Sequence, residues 1–260
     1  MSIYLILWFL ISGFLLSFWI WTIYVLFKQK SAWKLYAEKR KLRYFSNAIL
    51  DTPTLSGAID EYSVSMFASE HSELDSRSNR KLTAIEVSLK SELSFGCALG
   101  SGGMVHVVEA LDMRQEYKPA VKGWDDSYAL RTNDLESSQL YLTKDRLSKL
   151  VNLMKIDKSW VVFLFVGNQG ILRLDTPLPI DNPKEMDMII KQMINVAKGL
   201  ELELGEGSRI LRQKSQKDKT QKVLNIDEDL LDDHIGFELE DEELVSELDL
   251  EEMAEEEDDV

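Results

Sequence analysis

The apolar positions of this chain change their periodicity along its length, and each change marks an element. Ile3–Phe27 is apolar on every side. Of its 25 residues 21 are apolar or aromatic, the exceptions being Ser12, Gly13, Ser17 and Thr22. As a helix it would rise roughly 37 Å, enough to cross a hydrocarbon layer of about 30 Å with some tilt. Helix is also the form that satisfies its backbone polar groups in lipid. A cleaved signal peptide would need a basic start, a shorter apolar run and a small-residue cleavage site. Here the start is uncharged and the run ends in Tyr24-Val-Leu-Phe27.

Beyond the span the period shortens. Tyr62, Val64 and Met66 alternate within Leu55–Ala68, and Ile85, Val87 and Leu89 alternate within Thr83–Leu89, so both stretches read as strands separated by a polar loop at Glu70–Lys81. Short apolar runs at Ser94–Leu99 and Met104–Val108 flank Gly100-Ser-Gly-Gly103, and Tyr128–Arg131 is a further strand. Trp160–Val166, the turn Gly167-Asn-Gln-Gly170 and Ile171–Leu174 form the clearest hairpin. Helical spacing appears in Leu140–Met154, which Thr143 divides by capping a second helix. It recurs in Met186, Ile189, Ile190, Met193, Ile194 and Ala197, opened by the cap Asn182-Pro183-Lys184-Glu185 and closed at Gly199 or Gly205. Strands without a regular βαβ alternation predict an α+β class: an antiparallel-sheet domain with two or three packed helices.

Charge divides the chain further. Lys28–Arg43 carries +6, Arg209–Lys222 carries +5, and Leu224–Val260 holds 19 acids and no Lys or Arg. The overall charge of −15 therefore belongs mainly to the tail. These shifts set the expected organisation: a transmembrane helix at 1–27, a basic juxtamembrane helix at 28–45, a cytoplasmic α+β domain at 46–204, a basic flexible linker at 205–223, and an acidic disordered tail at 224–260. The basic flank places everything after Phe27 in the cytoplasm, as in a single-pass protein of a bacterial inner membrane. Trp19, Trp21, Lys28, Lys30, Trp33 and Lys34 are the expected membrane-interface residues, with lipid as their partner.

The candidate chemistry is sparse. With one Cys and three His, the chain is no disulfide scaffold and offers no His-x3-His spacing. Gly100-Ser-Gly-Gly103 lacks the spacing and lysine of a phosphate loop and the frame of a nucleophile elbow, which leaves a turn. Asp125 and Asp126 are adjacent, so on a strand they would point to opposite faces. Cys97 sits in an apolar run, as a small core residue does. Asp227–Gly236 does not match the ligand positions of a calcium loop. No catalytic, cofactor or metal residue is assigned, and a nucleic-acid role is not expected for a basic patch beside a span.

The tail mixes acids with apolar residues. Leu230, Leu231, Ile235 and Phe237, and then Leu244, Val245 and Leu248, are the expected contacts with a protein partner whose groove has a basic rim. A single span, a basic collar and a β-rich region that includes Trp124-Asp-Asp-Ser-Tyr128 and Leu140-Tyr-Leu-Thr143-Lys-Asp-Arg-Leu147 resembles uncharacterised bacterial single-pass membrane-anchored proteins, over roughly Leu55–Leu174. That resemblance implies the layout and carries no catalytic residue. The reading is a non-enzymatic membrane-anchored adaptor or accessory subunit. The alternative is a membrane-tethered enzyme or ligand sensor with a site near Trp124–Tyr128.

Overall fold

The computed structural model describes residues 3–47, 51–72, 79–167 and 169–215, and its compact unit ends at Lys214. The first helix, α1 (Ile3–Arg40), runs unbroken for 38 residues. It stops at a left-handed Lys41 (φ 58°), with Leu42 N–H donating to the Ala37 carbonyl and Lys41 N–H to that of Glu38. That pair of bonds is the Schellman arrangement, which satisfies the last carbonyls and turns the chain back on itself.

The sheet begins directly after this reversal. Strands β1 (Arg43–Phe45), β2 (Thr54–Ile59), β3 (Tyr62–Ser72) and β4 (Asn79–Ser88) form an antiparallel meander. Next come β5 (Cys97–Gly100), a 3-10 turn at Gly102–Met104, α2 (Val105–Ala110), β6 (Gln115–Glu116) and β7 (Ala129–Thr132). The chain continues through α3 (Leu135–Tyr141), α4 (Lys144–Met154), the hairpin β8 (Trp160–Val166) and β9 (Gln169–Thr176), and α5 (Pro183–Leu200). Among the described residues the strands join into one nine-stranded antiparallel sheet of order β1-β2-β3-β4-β9-β8-β5-β7-β6. The last hairpin thus closes the middle of the sheet, between strands made much earlier.

The two faces of the sheet differ because side chains alternate along each strand. One face carries Val64, Met66, Ile85, Val87, Leu99, Phe163, Phe165, Leu172 and Leu174, packed with α1, α4 and α5 in the main core. On the other, Met104, Val108 and Met113 close over Ala98 and Val162. There Gly102 and Gly103 lie flat against Trp160, where a Cβ on either would collide with the indole.

Several expectations hold in detail. Thr143 caps α4 by accepting from Arg146 N–H, Asn182 caps α5 by accepting from Lys184 N–H, and α5 buries the predicted face. Others change. Leu55–Ala68 is a hairpin, not one strand, turning through Asp60 and Glu61 with both φ positive. Such turns favour Asn-Gly, so the Asp-Glu sequence hides it. Strand pairing extends into the stretch expected as a loop, to Ser72 and from Asn79. Met104–Val108 leads into a helix, because Met104 and Val108, four apart, face the core. α3 starts at Leu135, capped by Asp134, with Ser137 and Ser138 buried where an apolar pattern would have announced it. Neither Gly199 nor Gly205 ends α5. Its last carbonyls are taken by side chains: Tyr141 OH donates to Leu200 O at 2.6 Å, and Arg146 donates to Gly199 O and Glu201 O at 3.2 and 2.7 Å.

The domain also runs past residue 204, into the stretch expected as a flexible linker. Helical turns at 206–215 follow α5. Ile210 is buried, and Glu206 forms a fork-to-fork pair with Arg146, with contacts of 2.5 and 2.7 Å. The Arg146 and Glu206 side chains are only 7% and 13% exposed, so the pair is one that packing encloses. Tyr141 lies against the guanidinium, 4.5 Å from its ring centre.

Candidate functional site

The feature that sets this chain apart is how α1 joins the domain. From Ile3 to Thr22 its side chains are exposed on all sides, and among the described residues it is the one helix long and apolar enough to cross a membrane. The same helix then changes surroundings without a break. Gln29, Ala32, Trp33, Tyr36 and Ala37 are buried, recurring at the spacing of one helix face, while Lys34, Leu35, Glu38 and Lys39 stay exposed.

Against that buried face lie α5 and the loop that leads into it. Lys28 Nζ is 2.7 Å from Asp181. Trp33 donates its indole N–H to Ile180 O at 2.9 Å and is itself 0% exposed. Further along, Asp187 of α5 gathers three partners: the Arg40 guanidinium, Lys191 Nζ at 2.9 Å and the Tyr36 hydroxyl at 3.4 Å. Burial alone would raise the Asp187 carboxyl, but the hydrogen bonds from Lys191 and Arg40 outweigh it and hold the group below the ordinary aspartate range. Burial, with the Asp187 charge beside it, pushes the Tyr36 hydroxyl up to about 12. Apolar burial, an indole hydrogen bond and a three-donor carboxylate together make this a rigid mount.

The sequence expects Trp33 at the lipid surface; the structure puts it in the domain core. Its aromatic ring and the small residues beside it pack on the protein, and the charged face is left outside. Lys28 and Lys34 are exposed and Lys30 is half-buried, its Nζ 3.1 Å from Ser46 Oγ. Trp19 and Trp21 are exposed on the apolar part of α1. The signal for the mount is present in the sequence as Ala32, Trp33, Tyr36 and Ala37 at helical spacing. The acids Asp181 and Asp187 are not foreseeable, because their distance in sequence from α1 hides the pairing.

Three other places bear on chemistry. Cys97 and His106 cannot meet as a nucleophile pair. Cys97 faces the main core, with burial pushing its thiol up to about 12, and α2, which carries His106, covers the opposite face. The structure does bring His71 and His106 together, with ring centres 4.5 Å apart, edge to face, and His71 tilted against Trp160 at 5.0 Å. Periodicity does not show that the two meet, because His71 lies on β3 within the stretch expected as a polar loop, and His106 lies on α2 within the short apolar run Met104–Val108. Nearby on that face, fully buried Asp175 is held by the Arg173 fork at 2.7 and 2.8 Å and by Ser69 OH at 2.9 Å. Among the described residues no group of three or more His, Cys, Asp or Glu is placed to hold a metal.

At Trp124–Tyr128 the polar groups serve the turn. Asp125 accepts from Ser127 N–H at 2.9 Å, Asp126 is exposed, and Trp124 packs edge-on to Tyr128. The Trp124 indole N–H is the one side-chain polar group, among the described residues, that is buried without a partner. A cleft of about 580 Å³ lies elsewhere, around Arg146, Glu201 and Glu206. Its Arg146 and Glu206 walls belong to the pair already described, and its Glu201 carboxylate accepts from the backbone N–H groups of Lys90 and Ser91 at 2.9 and 2.7 Å. The tail residues Leu230, Leu231, Ile235, Phe237, Leu244, Val245 and Leu248 lie outside the described residues.

No family model matches the chain, and no curated protein matches it. Among solved structures it is similar to the crystal structure of the mycobacterial trehalose monomycolate transport factor A, TtfA. The match covers 69% of this chain and 97% of that one, at 11% identity and a TM-score of 0.36. A likeness at that score carries no inference about activity or partners. What the fold and the mount define is a class: an α+β domain borne on a long apolar N-terminal helix.

Proposed function

We propose that this chain is a non-enzymatic, single-pass accessory protein that presents its α+β domain at a fixed height and orientation on the cytoplasmic side of a bacterial inner membrane. The observation that carries the reading is the unbroken α1, apolar and exposed over Ile3–Thr22 and locked to the α5 region over Ala32–Arg40. A tether meant only for attachment needs no such mount, and a flexible linker would serve it better. The excess of Lys and Arg after the span sets the orientation. The acidic segment 224–260 is the arm that engages a protein partner with a basic rim.

The test is crosslinking in intact membranes followed by affinity recovery of the full chain. Deleting 224–260 should remove a crosslinked protein, and inserting Gly-Ser-Gly-Ser-Gly between Phe27 and Lys28 should weaken its capture while leaving the chain in the membrane. If both variants return the same set of crosslinked proteins as the parent chain, the reading is wrong.

A further inference from the structure

We infer that one end of the sheet is itself a membrane-contact surface, seated in the headgroup layer with Leu178 and Phe45 inserted into it. The inference rests on the reading that α1 spans the bilayer, and its occupant is the same bilayer. Because α1 is unbroken through its mount, depth can be read along it at no more than about 1.5 Å per residue, less in proportion to any tilt. Each polar layer of a bilayer is roughly 5–7 Å thick, so the stretch that starts at Lys28 and ends near Ala32 lies within it. Two parts of the domain are bonded to α1 at that depth: Asp181 to Lys28 at 2.7 Å, and Ser46 to Lys30 at 3.1 Å.

Strand direction brings further groups to the same end. β1 ends at Phe45 beside Ser46, and β2 starts opposite it at Thr54. β9 ends at Thr176, whose hydroxyl donates to Lys158 O at 3.2 Å, and then gives way to the loop that reaches Asp181. Phe45 and Leu178 are 61% and 46% exposed. Around Phe45, Lys81 lines a cleft with Asp51 and Glu70, so that cleft carries one acid in excess and offers anionic headgroups no attraction of its own. The contact therefore rests on depth and on the two apolar side chains, with the lysines of α1 supplying the attraction to anionic headgroups.

The chemistry of the loop suits the partly hydrated headgroup layer. Leu178 stands between Pro177 and Pro179, which have no N–H to desolvate. Its own N–H is already satisfied, donating to Thr176 Oγ1 at 3.2 Å. The donors beside this exposed leucine are thus absent or satisfied, and the carbonyls of the loop can keep their hydration among the headgroups while the side chain inserts. The opposite end of the strands carries the exposed Glu61, Lys90 and Glu92 instead.

The experiment uses the full chain with single cysteines at Leu178, Phe45, Glu92 or Leu10, labelled with an environment-sensitive NBD group. Cys97 is buried and stays unlabelled in the folded protein. The variants are reconstituted into vesicles of equimolar phosphatidylcholine and phosphatidylglycerol with a shallow nitroxide lipid. For a surface seated about 5–10 Å deep, the labels at Leu178 and Phe45 should be quenched at least about twofold more than the label at Glu92. If they are quenched no more than Glu92 while Leu10 is strongly quenched by a deep nitroxide, α1 spans and this end of the sheet stands in water, and the inference is overturned alone. If the Leu10 label also escapes quenching, the span and the inference fall together.

Discussion

The two ends of α1 belong to one continuous helix and differ in what surrounds them: among the described residues Ile3–Thr22 meets no other part of the chain, and Ala32–Arg40 packs on the domain. Over Ile3–Thr22 bulky side chains cover every face and all are exposed, which suits surroundings as apolar as themselves. Over Lys28–Arg40 the residues sort themselves: Ala32, Trp33, Tyr36 and Ala37 go inward, while Lys28, Lys34 and Lys39 go outward. The lesson is that a tryptophan near a span has no fixed meaning. Trp19 and Trp33 are alike in sequence, but one is 62% exposed and the other is 0%. What separates them is whether the rest of that helix face is small and apolar enough to let a second helix approach.

This contrast can be broken most sharply at Trp33. Replacing it with Ala removes a fully buried ring and its hydrogen bond to Ile180 O. Denaturant unfolding of the domain in the full chain should show a loss of about 3–5 kcal/mol. Trp19→Ala, which empties no protein core, should leave the same transition within about 0.5 kcal/mol. Equal effects from the two would erase the distinction.

Arg146 tests whether the remote end of α5 is held as firmly as the mounted end. Arg146→Met strands Glu206 in a site of low exposure and should cost about 3–5 kcal/mol. Removing both charges, with Arg146→Met and Glu206→Leu together, should recover much of that loss. If the double variant is no better than the single, it is the carbonyl caps on Gly199 and Glu201 that matter, not the ion pair.

Asp187 comes next in size. Asp187→Asn deprives Arg40 and Lys191 of their charged acceptor and should lower stability by about 1.5–3 kcal/mol. The pH dependence has a definite sign. The folded carboxyl lies below its ordinary value of 3.8, so its contribution is complete above that value and is lost as pH falls through the lower folded one. The acid loss should be shallower in Asp187→Asn than in the parent chain, measured as the unfolding midpoint between neutral and acid pH. Parallel curves would show that Asp187 does not carry it.

The smallest effect is a gain. Lys41 holds the left-handed position of the Schellman cap, where a glycine carries no Cβ penalty. Lys41→Gly should raise the unfolding midpoint by an amount equivalent to about 0.5–1 kcal/mol. A loss would mean that the lysine side chain supports the cap in some other way.

Local signals in the sequence carry the elements whose rules are local. The caps at Thr143 and Asn182 and the face of α5 each depend on residues within a few positions of one another, and each is where the pattern places it; the β8–β9 hairpin is also found, but its turn is tighter than Gly167–Gly170, because Gln169 and Gly170 already pair with Val166 and Phe165. The Asp60-Glu61 turn escapes because strand pairing imposes its positive φ against the preference of those residues. The meeting of His71 and His106 escapes because it depends on β3 reaching Ser72 and on α2 lying over the sheet, neither of which periodicity reports. The mount itself is half legible. Its α1 face can be picked out from spacing, but the charges on Lys28, Lys34, Lys39 and Arg40 invite a lipid reading. The acids that make it a protein contact lie far along the chain, as the 147-residue separation of Arg40 and Asp187 shows.

An unhinged helix has a mechanical consequence. The apolar stretch of α1 is longer than a typical hydrocarbon layer, and a tilt of roughly 35° would absorb the excess. Since no break interrupts α1 between Phe27 and Arg40, leaning it in a thinner bilayer swings the whole sheet with it. On the proposed reading, the mount thus fixes the sheet relative to α1 and not relative to the membrane plane, and any change of tilt in the apolar stretch is a change of tilt in the domain.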